Sequence, residues 1–141
     1  MNTATNVVVE PGTSRGKLAY WVITALLMVP GAGGGMVELL TDGPASVAQT
    51  LVQLGYPLYI MKILGLAKVL GGLAILTGRS PRLKEWAYAG FAFDFLGAAA
   101  SHLLAGDAAH APLPLVFLGV LLTSYALWYR TAATPLPATS R

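Results

Sequence analysis

Residues 57–105 read PLYIMKILGLAKVLGGLAILTGRSPRLKEWAYAGFAFDFLGAAASHLLA, two apolar runs joined by a short basic turn. The runs, 57–77 and 85–105, are each close to the ~20 residues a helix needs to cross a ~30 Å hydrocarbon layer. Backbone N–H and C=O groups find no water inside lipid and have to satisfy one another, so both runs are predicted to be helices. A connection as short as GRSPRLK makes them antiparallel neighbours.

Outward from this hairpin, two further apolar segments lie at about 18–40 and 112–129. The 141 residues are 55% hydrophobic and only 11% charged, against about 25% charged in soluble domains. The reading is an all-α integral membrane four-helix bundle over residues 18–130. Residues 1–17, MNTATNVVVEPGTSRGK, are polar and hold Pro11 and Gly12; they read as a disordered arm. Residues 131–141 read as a flexible tail. The apolar run after the arm is too long for a signal peptide, and no small-residue cleavage pattern closes it.

Lysine and arginine in short connections set the expected orientation. Arg15 and Lys17 precede the first span, Arg79, Arg82 and Lys84 fill the central turn, and Arg130 follows the fourth span. The other two connections carry Asp42 and Asp107 instead. Both chain ends are therefore expected in the cytoplasm. Trp21, Trp86 and Trp128 then fall at the cytoplasmic interface, and Tyr56 and Tyr59 at the outer one. The net charge of +3 sits in these connections and forms no patch suited to nucleic acid.

The chain has no cysteine, which excludes disulfides, thiolate metal sites and c-type haem attachment. His102 and His110 do not have the placement of a bis-histidine haem, and no metal site is expected. No GxGxxG after a strand, Walker lysine motif, HExxH or nucleophile elbow occurs. The first span is interrupted by Pro30 and by Gly31, Gly33, Gly34 and Gly35, so a kink or unwound stretch is predicted there. Two readings are open for it: close helix packing through the Gly31–Gly35 GxxxG pair, or the lining of a cavity.

Charge within the spans costs about 2.5–3.5 kcal/mol per residue even on lenient insertion scales, so such residues face inward and find partners. Lys68 and Asp94 are equidistant in sequence from Pro81, at the centre of the basic turn. At ~1.5 Å per residue both lie about 15 Å deep, near the midplane. Each falls in a stripe of small residues: Gly65, Lys68 and Gly72 on one helix, and Ala87, Gly90, Asp94, Gly97 and Ser101 on the other. A buried Lys68–Asp94 ion pair across this seam is expected, either as a register device or as the polar floor of a ligand pocket. A second group lies toward the outer face: Glu38, Lys62, Ser101 and His102, with Glu38 placed to pair with Lys62 or His102, and the imidazole able to shuttle protons. Asp42 and Asp107 read as loop residues. On the fourth span Thr123, Ser124 and Tyr125 are placed to hydrogen-bond inward, although back-bonding to the helix is the commoner fate of Ser and Thr.

LGYPLYIMKILGLAKVLGGLAIL, followed by PRLKEWAYAGFAFDFLGAAASHLLAGD, resembles the DoxX-like family of small bacterial membrane proteins. The ordered string Glu-Trp-Ala-Tyr-Ala-Gly, Phe-Asp, Ser-His, Gly-Asp is the most specific part. The resemblance covers about residues 18–129 and implies a four-helix bundle in a bacterial cytoplasmic (inner) membrane. It also implies kinship with a subunit of a thiosulfate:quinone oxidoreductase and with membrane redox complexes. Relatives often carry a lysine near the end of the first span, in a pattern like SGxxKL. Here the stretch is GGGMVELL, and Glu38 reverses the sign of the outer cluster.

Three functions follow as expectations. The first is binding of a lipophilic small molecule such as a quinone, as a redox accessory, with Lys68, Asp94, Tyr88 and Ser101 as ligand-binding residues. The chain has no electron carrier of its own in this reading, so a redox role needs a bound quinone or a membrane redox partner. The second is a membrane enzyme, an isomerase, cyclase or hydrolase, using Asp94, Glu38 and His102 in acid–base chemistry on an apolar substrate. The third is a structural subunit or homo-oligomer without chemistry.

Overall fold

The computed structural model describes residues 13–41 and 43–132. Most of the expected N-terminal arm, the C-terminal tail from residue 133, and Asp42 lie outside the described residues. Among the described residues every regular element is helical: α1 (Thr13–Met28), a π-helical segment (Val29–Gly33), α2 (Gly34–Leu40), α3 (Ala45–Gln53), α4 (Tyr59–Thr77), α5 (Pro81–Leu104) and α6 (Pro112–Ala132). Three stretches of helix are long and apolar enough to cross a membrane: Arg15–Leu40, Tyr59–Thr77 and Pro112–Thr131. At 24 residues α5 is also long, but it carries Arg82, Lys84, Glu85, Asp94 and His102.

The faces these helices turn outward are made of large apolar side chains, among them Leu66, Leu70 and Leu73 on α4, Phe93 on α5 and Val116 and Leu122 on α6. In water that much apolar surface would be an aggregation liability; against lipid it is the ordinary outer side of a membrane protein. Inside the bundle Leu27, Met28, Ile75, Tyr88, Phe91 and Leu121 form the buried core.

The central turn is as tight as its sequence predicts. Gly78 ends α4 at φ +58°, a conformation that costs glycine little because it has no β-carbon. Ser80 caps α5 by accepting a hydrogen bond from the Leu83 N–H, and Pro81 takes the first helical position, where its missing N–H is not needed.

The predicted break in the first helix is the π-helical segment. Pro30 brings no donor to the ladder, and the Gly34 N–H reaches the carbonyls of both Pro30 and Gly31. The widened turn accommodates the proline without unwinding the chain. It also marks a change of neighbour: α1 packs on α6, whereas α2 packs on α4, and α4–α5 and α5–α6 contacts close the ring.

One seam differs from the sequence expectation. The small-residue stripe of α4 does not face α5. A β-carbon at Gly65 would lie 2.8 Å from the Gly35 carbonyl oxygen, and one at Gly72 would fall on the Ala32 methyl group. It is Gly71 that approaches α5, where its β-carbon would lie 3.0 Å from the Phe91 ring. Gly90 and Gly97 on α5 have no such neighbour within 4 Å. Of the Gly31–Gly35 pair, Gly35 serves close packing at the α2–α4 crossing, while Gly31 lies against the Phe91 ring of α5.

Helix α3 was not anticipated from the sequence. Its signal is modest: Val47, Leu51 and Leu54 recur at helical spacing after Pro44, which occupies the N-cap position.

Candidate ligand cavity and its polar groups

The residues singled out for chemistry separate into three places. At one end of the bundle, where the basic connections meet, lies a buried polar and aromatic cluster. Thr24 and Ser124 share a hydrogen bond of 2.7 Å, and Tyr88 and Ser124 one of 2.9 Å. Both Thr24 and Ser124 are fully buried, so this network fixes α1, α5 and α6 to one another. Of the hydroxyls read as inward-facing on the fourth span, Ser124 does bond inward, while Thr123 back-bonds to Gly119. Lys84, read from sequence as a turn residue, is buried and lies over the rings of Tyr20 and Trp128, at 4.8 and 5.0 Å from their centroids. Tyr88 belongs to this cluster, not to the cavity described below.

The second place is the α2–α4 crossing. The expected Lys68–Asp94 ion pair gives way to another. Lys68 Nζ donates to both carboxylate oxygens of Glu38, at 2.8 and 3.0 Å. The cause is the glycine seam: Gly35 and Gly65 bring the two backbones close enough for Glu38 to lie against Gly65. The Lys68 side chain is 20% exposed and that of Glu38 8%. Lys62, the sequence candidate for pairing with Glu38, instead donates to the carbonyls of Leu39, at 3.3 Å, and Thr41. It thereby satisfies free acceptors at the C-terminal end of α2. Asp94 makes no hydrogen bond or ion pair with Lys68 or Glu38.

The third place is a cavity of about 690 Å³ enclosed by α3, the first turns of α4, the second half of α5 and the start of α6. Its walls are largely apolar, with Val47, Leu51, Leu54, Ile60 and Leu64 inside and the outward-facing Phe93 and Leu113 at its open side. Its polar groups come from α3, from α5 and from the adjoining connections. Asp94, Ser101 and His102, all named from sequence, line it, while Glu38 and Lys68 do not. Gln49 and Gln53 of α3 add amide donors and acceptors. Tyr56 OH and Ser101 Oγ are 2.7 Å apart, and Ser101 donates onward to the Gly97 carbonyl. A hydroxyl has one proton, so in that arrangement Tyr56 donates to Ser101.

At the mouth of the cavity, just past the end of α5 at Leu104, Gly106 takes a φ of +78° and reverses the chain. The reversal brings Asp107 beneath His102 and holds His110 on its other side. His102 Nδ1 lies 2.9 Å from Asp107 Oδ2, and His110 Nδ1 lies 2.7 Å from Asp107 Oδ1. Hydrogen bonds from His110 and then His102 hold the Asp107 carboxyl below the usual carboxylate range. Asp107 is indeed in a loop, as expected, but the loop delivers it to the cavity, where it bridges both histidines of the chain.

A model of the DoxX-like family matches residues 22–124. The chain belongs to the DoxX-like family. The match runs from within α1 to most of α6 and so spans every cavity-lining element of this DoxX-like protein. No curated protein and no solved structure matches the chain.

Proposed function

We propose that this DoxX-like protein crosses a bacterial cytoplasmic membrane four times, with both ends in the cytoplasm, and holds a lipophilic small molecule with an oxygen-bearing head, of the quinone class, in the α3–α4–α5 cavity. The cavity carries the reading. A pocket of several hundred Å³ with apolar walls and a few convergent polar groups is the usual form of a small-molecule site. Gln49 and Gln53 offer N–H donors to a quinone carbonyl, and Asp94 offers an acceptor to a quinol hydroxyl. Electron transfer through the site requires a partner protein, because the ligand is the only redox group in this proposal.

Gly97 makes the test selective. It lines the cavity, and a β-carbon there would meet nothing within 4 Å. Gly97→Leu therefore fills the cavity without pushing on backbone, and it replaces a mid-helix glycine, worth about 0.5–1 kcal/mol of helix stability. Decylubiquinone is expected to raise the thermal unfolding temperature of the wild type in a saturable way. A ligand at a hundred times its Kd stabilises by about 2.7 kcal/mol. Gly97→Leu is expected to unfold no earlier than the wild type and to show no such rise. An equal rise in Gly97→Leu, or none in the wild type, rejects the cavity as a quinone site.

The fourth span and the orientation are supported by the clustering of Arg15, Lys17, Arg79, Arg82 and Arg130 at one end and by the length of α5. Since the chain has no cysteine, single cysteines report cleanly. Ala108→Cys in intact cells is expected to react with a membrane-impermeant maleimide. Ser80→Cys and Thr134→Cys are expected to react only after the membrane is opened. Labelling of Ser80→Cys from outside, or protection of Ala108→Cys, would reverse or break the topology.

A further inference from the structure

We infer that His102, Asp107 and His110 form a binding site for a divalent first-row transition ion at the mouth of the cavity. Each offers one ligand atom, and the three atoms lie within 4.8 Å of one another. Tetrahedral coordination with bonds of about 2.0–2.2 Å sets the edges of a site at roughly 3.4 Å. The two N···O separations are now 2.9 and 2.7 Å. A metal that replaces the protons held between each imidazole and the carboxylate thus needs these contacts to lengthen by roughly half an ångström and the widest pair, now within 4.8 Å, to draw together. The residues that would move permit this. His110 and its neighbours form a short surface loop in which the His110 side chain is 71% exposed, whereas His102 is anchored on α5 with its side chain 13% exposed.

The donor set selects the class of ion. Calcium and magnesium prefer all-oxygen cages, whereas two imidazoles and one carboxylate suit zinc, iron or nickel. The two oxygens of Asp107 already face one imidazole nitrogen each, so the carboxylate ligand is in position before the ion arrives. All three residues also line the cavity. With three protein ligands, the remaining coordination position opens toward the cavity, the form of sites that hold an exchangeable water or ligand. The inference rests on this cluster alone and does not depend on the quinone reading.

The test uses the full chain without a polyhistidine tag, purified in detergent and stripped with chelator, and Zn²⁺ followed by calorimetry. One equivalent of Zn²⁺ per chain is expected, with Co²⁺ giving visible bands of low-symmetry coordination at the same stoichiometry. His110→Ala and Asp107→Asn are each expected to weaken Zn²⁺ by more than about tenfold. His110 is exposed enough for its variant to fold, as circular dichroism will verify. The absence of saturable Zn²⁺ uptake by the wild type overturns the site. So does uptake unchanged in the Asp107→Asn/His110→Ala double variant, and Ca²⁺ binding as tightly as Zn²⁺ overturns the assigned class of ion.

Discussion

Lys68→Met is expected to lower the unfolding free energy by about 3–5 kcal/mol, and adding Glu38→Met is expected to bring most of it back. Lys68 Nζ contacts both oxygens of Glu38, and Glu38 is buried. Without the Lys68 ammonium a buried carboxylate loses the cation that contacts both of its oxygens. Removing one member of a buried pair is far more costly than removing both, since the large quantity is the desolvation of an uncompensated charge. Methionine nearly matches the length of either side chain and packs without strain in irregular gaps. Unfolding in bicelles by steric trapping measures all three variants against the wild type. If the double variant is as unstable as Lys68→Met, the pair is not what Lys68 contributes.

Gly35→Ala and Gly34→Ala are expected to move stability in opposite directions although the residues are adjacent. A β-carbon at Gly35 would lie 2.7 Å from Lys68 Cβ and 2.8 Å from the Gly65 carbonyl oxygen. The latter is backbone and cannot turn aside, so α2 and α4 have to separate. Overpacking of this kind costs about 1–3 kcal/mol, and here it also lengthens the Lys68–Glu38 contact. At Gly34 an added β-carbon meets nothing within 4 Å, and alanine is the better helix former by about 0.5–1 kcal/mol. Thermal unfolding of the two variants in the same detergent decides the matter. Equal losses would mean that the π-helical segment, not the α2–α4 contact, is what needs glycine.

Depth within the bundle was legible in the sequence; rotation about each helix axis was not. The symmetry of Lys68 and Asp94 about Pro81 carries no information on which way either side chain points. The partner of Lys68 depends instead on where the Gly65–Gly72 stripe points. Two stripes of small residues on neighbouring helices are an invitation to pair them, but here the first helix takes the α4 stripe and leaves Gly90 and Gly97 without close neighbours. The break at Pro30 and the ends of α4 were readable because proline, glycine and basic residues act locally. Helix α3 and the His102–Asp107–His110 cluster were not, because each depends on how a connection folds over the bundle end. Of the residues proposed for chemistry, Asp94, Ser101 and His102 meet at the cavity, since they share the second half of α5. Tyr88 lies at the other end of the same helix, and Glu38 and Lys68 satisfy each other.

The change of neighbour at Val29–Gly33 has a consequence for the order in which the protein is made. The first helix leaves the ribosome before α4 and α6, the two helices that its halves pack against. The carboxylate of Glu38 meets Lys68 only when α4 arrives, 30 residues on, and Thr24 meets Ser124 only after a further helix, 100 residues on. The first helix is therefore the last to be fully enclosed. During synthesis its second half acquires a partner before its first half does, and the ring closes with the final segment of the membrane domain.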